Sequence, residues 1–269
     1  MTLKENVSAF AVKQILSYMD KDPEKNLPKL LDWFDRFDRK DTLKAQREAI
    51  RKAVVDKDNN WRQLVISLWT DIDPGVRNRL FENFILNGCL LGYQRQNEYK
   101  EKYNCNIPWA ILLDPTSACN LKCTGCWAAE YGNHMNLAYE EMDDIVNQGV
   151  EMGTYVYLFT GGEPMVRKKD IIRLCEDHPD CVFSTFTNGT LIDEAFAEEM
   201  LRVQNFVPAI SIEGFEEATD SRRGNGTYQK IIRAMNILRE KKLPFGISCC
   251  YTSANAEVIG SEAYFDQMI

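Results

Sequence analysis

From residue 109 onward the chain alternates short apolar runs with longer amphipathic ones. WAILLD, TYVYLFT, CVFSTFT, FVPAISI and PFGISCCYT are near-continuous apolar runs, each too short for a core helix. Between them lie stretches with apolar residues at helical spacing: about 138–152, from 168, from 193, 227–242, and one opening near 256. Strand-like runs each followed by a helix predict βαβ units and a parallel sheet buried on both faces. No Rossmann glycine fingerprint follows the first run, so the regular alternation predicts an α/β barrel or partial barrel. Five strands are expected, and residue 269 falls inside the helix after the fifth.

The first hundred or so residues carry the helical period alone. Val7, Phe10, Ala11 and Ile15 share one face, and Leu27, Leu30, Leu31 and Phe34 share another. Asp22-Pro23 and Asp73-Pro74 each place an N-cap before a proline at the first helical position. The charged stretch 38–55 continues the pattern, and Gly88 is expected to stop a helix after Leu80, Phe84 and Ile85. Trp33, Phe34, Trp61 and Trp69 form either a partner-docking face or the core of a small helical domain, and the core is the favoured reading. The pattern therefore divides the chain into an all-helical N-terminal region, 1–105, and an α/β region, 106–269.

Composition narrows the function. In 269 residues, 45% are apolar and 27% charged, which is globular and long enough to bury a core. The 40 acidic residues outnumber the 32 Lys and Arg, for a net charge of −8, which argues against nucleic acid as a partner. No apolar run is long enough for a membrane span, and MTLKENVSAF lacks the apolar core of a signal peptide, so a cytoplasmic location is expected. Nine cysteines stand against two histidines. Cys89, Cys105, Cys175, Cys181, Cys249 and Cys250 are scattered and read as small buried hydrophobes. Cys249 and Cys250 are expected to point to opposite faces of the fifth strand. His134 lies in a polar loop, and His178 reads as a helix-end residue.

The other three cysteines, Cys119, Cys123 and Cys126, fall within eight residues just after the first strand. Three thiolates so close together suit one face of a metal or cluster. A structural zinc would need a fourth ligand, and none sits at a matching spacing. An open coordination position is what a catalytic centre needs.

The spacing Cys119-x3-Cys123-x2-Cys126, followed by Trp127, resembles the radical S-adenosylmethionine (radical SAM) superfamily. The resemblance extends to the ends of the later strands. Thr160-Gly161-Gly162-Glu163-Pro164 resembles the family's GGE[P] motif, whose backbone holds the amino group of S-adenosylmethionine (SAM). Thr187-Asn188-Gly189 matches the TNG turn. Ser211-Ile212-Glu213-Gly214 is similar to S-x-D-G, with Glu213 in place of Asp. The segment 220–228 resembles HD-x-x-RG, with Thr219 where His is common. It aligns Arg223 with an Arg that pairs with the SAM carboxylate, with Arg222 as its near competitor. These motifs sit where strands give way to loops, the rim on which parallel barrels build their sites.

The resemblance implies a partial (β/α)6-type barrel, truncated before its sixth strand. It implies a 4Fe–4S cluster on Cys119, Cys123 and Cys126, and SAM against Gly161, Gly162, Glu163, Pro164, Asn188, Ser211, Glu213 and Arg223. Trp127 would flank the cluster or the adenine. One electron from reduced ferredoxin or flavodoxin would cleave SAM to a 5′-deoxyadenosyl radical that abstracts hydrogen from substrate. Peptide or protein maturation and cofactor biosynthesis are the favoured outcomes, with lipid modification a further one. The alternative is a non-catalytic iron–sulfur or zinc-binding module.

Overall fold

The structure, a computed structural model, describes residues 3–37 and 44–268. It separates into two compact units, Met1–Glu82 and Asn83–Ile269. The division at 105/106 marks where the periodicity changes, whereas 82/83 marks where packing changes. Residues just past Glu82 already belong to the sheet. Asn83 Nδ2 donates to the carbonyls of Pro179 and Cys181, both at 2.8 Å. Gln96 Nε2 donates to the Gly153 carbonyl at 2.8 Å. At Gly92 a Cβ would stand 2.4 Å from the Gly153 carbonyl oxygen, so that approach requires glycine.

The first unit contains helices Leu3–Lys21, Pro23–Phe37, Lys44–Val55, Asn60–Thr70 and Pro74–Phe81. Both expected caps form. Asp22 Oδ1 accepts from the Lys25 amide at 3.1 Å, and Asp73 Oδ1 accepts from the amides of Gly75 and Val76. The tryptophans are a correction. Trp33 is 45% and Trp61 70% exposed, so neither is core. Helix Asn60–Thr70 has no fully buried residue, and Trp69 is half-buried against Phe81, with ring centres 5.7 Å apart. Trp69 also donates Nε1–H to Asp20 at 3.1 Å and lies under the Arg77 guanidinium, 5.2 Å from its ring centre. The Phe34 side chain and residues 38–43 of the charged stretch lie outside the described residues.

Gly88 does not stop a helix. A π-helical segment, Glu82–Leu91, carries the chain through it into helix Gly92–Tyr103. A helix stop of this kind needs a left-handed backbone, and that falls instead at Asn104, with φ of 51°.

The second unit is built on β1 (Ala110–Thr116), β2 (Val156–Gly161), β3 (Val182–Thr187), β4 (Phe206–Ser211) and β5 (Gly246–Ser248). They form one parallel sheet in the order β1-β2-β3-β4-β5. Helices Tyr139–Met152, Lys168–Asp177, Glu194–Val203 and Thr227–Glu240 follow the first four strands, as the periodicity predicts. They cover the face carrying Tyr157, Phe159 and Phe183, all fully buried, with the two phenylalanine rings stacked at 5.9 Å. The opposite face is covered at Val156 and Val182, 6% and 8% exposed, and open elsewhere: Leu112 is 58% exposed and Phe186 39%. Burial on both faces was the expectation, and the second face meets it at the strand starts only.

β5 is the second correction. It pairs over three residues only, so Cys249 and Cys250 lie beyond it and do not alternate across a strand. Cys175 and Cys181 are buried as expected, but Cys89, Cys105 and Cys250 are exposed and Cys249 is half-buried. Cys105 follows the end of helix Gly92–Tyr103 in a loop, and Cys89 faces away from the buried Leu86 and Gly88. Hydrophobic character alone does not bury a residue in a loop or on an outward helix face.

Candidate functional site

The cysteine loop is anchored at the exit of β1. The buried Thr116 hydroxyl accepts from the Ala118 amide at 3.0 Å and donates to Asn136 Oδ1 at 2.6 Å. The loop after β2 then clamps the same segment. Gly162 N–H donates to the Thr116 carbonyl at 2.9 Å, and Glu163 N–H to the Ala118 carbonyl at 2.8 Å. A Cβ on Gly162 would stand 2.3 Å from the Ala118 oxygen, and Gly161 has φ of +108°. The glycine pair is therefore required by backbone that leads directly into Cys119. Both amide donors are engaged there, so what this loop offers a ligand is acceptors, which suits an amino group.

Glu163 is 2% exposed. Its carboxylate accepts from the Met165 amide at 3.0 Å, the Thr187 hydroxyl at 2.7 Å and the Asn188 amide at 2.7 Å. It staples the exit of β2 to that of β3. Burial pushes its pKa up, opposed by those three hydrogen bonds and by the nearby Arg223 charge. Asn188 continues the chain of contacts, donating Nδ2–H to Asn120 Oδ1 in the cysteine loop at 2.8 Å.

Glu213, past β4, is fully buried. Its Oε1 accepts from Arg222 Nη1 at 2.5 Å and from Arg223 Nε and Nη2 at 3.0 and 2.5 Å. Its Oε2 accepts from the Cys250 amide at 2.9 Å. Thr219 closes this turn: its hydroxyl accepts from the Glu213 amide and donates to the Gly214 carbonyl. The Arg222 carbonyl in turn accepts from the Thr124 amide at 2.8 Å, tying the cysteine loop to the far side of the rim.

These exits enclose a cavity of about 370 Å³. Cys119, Cys123, Cys126, Trp127, Gly161, Gly162, Glu163, Asn188, Ser211 and Arg223 all line it. Of the expected contacts, Pro164 and Glu213 do not: Pro164 is buried at the start of the short helix Pro164–Arg167, and Glu213 lies behind its two arginines. Arg222, Thr160, Phe186, Ser248, Cys249 and Cys250 line the cavity too. Arg222 was named as the near competitor of Arg223, and Thr160 and Thr187, which also line the cavity, sit inside the quoted motifs, so their place was findable. Cys249 and Cys250 carried no signal beyond adjacency. His134 does not line the cavity, and His178 closes helix Lys168–Asp177 with Nε2 2.7 Å from Asp143 Oδ1.

The residues fit a cluster better than a lone ion. Among the described residues, no three His, Cys, Asp or Glu side chains gather as a single metal ion needs. Yet three thiols share one cavity wall, as a larger polynuclear group requires. Burial pushes the Cys119 and Cys123 thiols up, and Arg223 and Arg222 pull Cys123 back down. Two guanidiniums on one carboxylate leave a positive charge beside Cys123, while the Glu163 carboxylate on the same cavity wall acts the other way on Cys119.

The profile of the Radical SAM superfamily matches residues 113–254, and the chain belongs to that superfamily. Its five parallel strands are those of a partial radical SAM barrel, and its cofactors are accordingly a 4Fe–4S cluster and SAM. The chain is 32% identical over 165 residues to Fe-coproporphyrin III synthase of Methanosarcina barkeri, covering 58% of this chain and 40% of that one. It is 31% identical over 170 residues to a cysteine-type anaerobic sulfatase-maturating enzyme of Clostridium perfringens, covering 55% and 46%. The solved structure of native anSMEcpe with bound AdoMet and Cp18Cys peptide is similar, with a TM-score of 0.51 and 28% identity, over 59% of this chain and 47% of that one. The chain spans less than half the length of these relatives. Among the described residues, no helix is long and apolar enough to cross a membrane.

Proposed function

We propose that this chain is the cofactor-holding core of an enzyme that uses SAM to modify a peptide or protein. The observation that carries it is one cavity lined by three clustered cysteines, a paired-glycine turn and two arginines braced on a buried glutamate. Cys119, Cys123 and Cys126 would hold the cluster. Gly161 and Gly162 present backbone acceptors to the SAM amino group. Asn188, Ser211 and Trp127 would line its site, and Arg223 would meet its carboxylate with Arg222 beside it. When bound, the pair supplies one-electron cleavage of the sulfonium and hydrogen abstraction from substrate.

The electron comes from a ferredoxin- or flavodoxin-type donor. All nine cysteines are free, which suits a reducing, cytoplasmic setting. Peptide modification is supported by the sulfatase-maturating relative and the peptide in its solved likeness. Cofactor biosynthesis is the second reading, supported by the Fe-coproporphyrin III synthase relative.

Anaerobic reconstitution tests the proposal. The protein should turn brown, bind a full cluster and form 5′-deoxyadenosine from SAM with dithionite. Cys119→Ala, Cys123→Ala or Cys126→Ala should abolish the product. A colourless protein holding one zinc would overturn it.

A further inference from the structure

A second cavity, of about 330 Å³, adjoins the first and shares Trp127, Gly161 and Gly162 with it. Its polar wall is largely engaged within the fold. Thr116 bonds Asn136 and the Ala118 amide, and the Ser117 hydroxyl accepts from the Met135 amide at 3.1 Å. Asp114, at the exit of β1, is different. It is the only Asp, Glu, Lys, Arg or His on that wall. Its carboxylate is exposed to solvent at the mouth of the cavity and has no hydrogen-bond or ion-pair partner among the described residues, and the cavity wall on its other side pushes its pKa up. It leans on the turn between the two cavities: its carboxyl carbon is 3.4 Å from where a Cβ of Gly161 would be. Facing it are Trp127 and Tyr131, edge to face at 5.9 Å, with Met135 and Leu137.

An unpartnered carboxylate beside aromatic faces and apolar side chains selects a cation on an apolar stem. A neutral ligand that covered the carboxylate would strip its water without replacing it, and an anion would be repelled. We propose that this second cavity is a subsite for a basic side chain, a lysine or arginine of the peptide substrate, with its head group on Asp114 and its stem along Met135 and Trp127. Because the two cavities share a wall, a side chain held in one places the adjoining chain at the mouth of the other. The subsite thus selects the substrate and sets which carbon lies near the cofactor. The assignment rests on the peptide reading above.

The test uses pentaglycine peptides, blocked at both ends, carrying Lys, norleucine or Glu at the centre. Binding is measured by calorimetry on the reconstituted protein, with and without SAM. The Lys peptide should bind about ten-fold more tightly than the norleucine peptide, as expected for a charge-assisted hydrogen bond, and the Glu peptide most weakly. Asp114→Asn should erase the Lys preference while leaving SAM affinity within about two-fold. Asp114→Glu should restore part of the preference, and Tyr131→Leu should weaken Lys-peptide binding about three-fold through the lost ring face. Equal binding of the three peptides, a Lys preference that survives Asp114→Asn, or loss of SAM binding in Asp114→Asn would each overturn the subsite. The two readings fail separately. A Lys preference without 5′-deoxyadenosine formation sinks the SAM chemistry and leaves the subsite, and 5′-deoxyadenosine without a preference does the reverse.

Discussion

Two buried glutamates stand at matching places in the sheet unit, Glu163 past β2 and Glu213 past β4. Both fasten neighbouring segments of the rim, but with opposite electrostatics. Glu163 is held by neutral donors: two backbone amides and a hydroxyl. Glu213 is held by two guanidiniums and one amide. Neutral donors give the β2 exit its geometry and leave a desolvated carboxylate. Guanidiniums give the β4 exit its geometry together with surplus positive charge beside Cys123. A carboxylate at a strand end is thus a bracket in one place and a charge-setting group in the other.

The largest test of that contrast is Glu213→Leu. It strands two guanidiniums that are only 20% and 10% exposed, and should cost about 3–5 kcal/mol in urea unfolding. Glu163→Leu orphans three neutral donors and should cost about 2–3 kcal/mol by the same measurement. Equal losses would erase the distinction. Smaller effects separate the arginines: Arg223 makes two contacts to Glu213 and Arg222 one. Arg223→Gln should therefore destabilise more than Arg222→Gln, by about 1 kcal/mol. The smallest effect is in pH. Burial raises the Glu163 pKa, so its ionisation is disfavoured in the folded state. Its stabilising contribution is full below the ordinary carboxylate range and falls as pH rises through the folded value. Wild type should lose stability relative to Glu163→Gln as pH is raised; a gap independent of pH would show that the hydrogen bonds balance burial, and a gain that they outweigh it.

The sheet was largely legible because each strand is a compact apolar run followed by a helical period, and both signals are local. The three cysteines and the strand-end motifs were legible for the same reason. What was hidden is non-local. That Glu163 faces Thr187 and Asn188 depends on two strands lying side by side. That Glu213 engages both arginines depends on helix Glu216–Arg223 turning back over its own strand. The pattern overstated β5 because apolar residues continue past Ser248 after pairing has ended. It overstated the tryptophan core because aromatic content in a helix does not say which way the helix faces. Asp114 went unremarked inside the apolar run WAILLD, where a single charge reads as a strand end.

The strictly sequential order of the sheet has a consequence for biosynthesis. Each strand leaving the ribosome finds its neighbour already made, which favours growth from β1 onward. The cysteine loop breaks that order. It is the first part of the rim to be translated, yet Asn120 waits for Asn188, 68 residues later, and Thr124 waits for Arg222. Until the chain has passed β4, the loop is held at its Ala118 and Asn120 end only, and closing its Thr124 end still costs entropy. In that interval the three cysteines face a cavity still lacking Ser211, Arg222 and Arg223, so the site is complete for a cluster only once the β4 exit has been made.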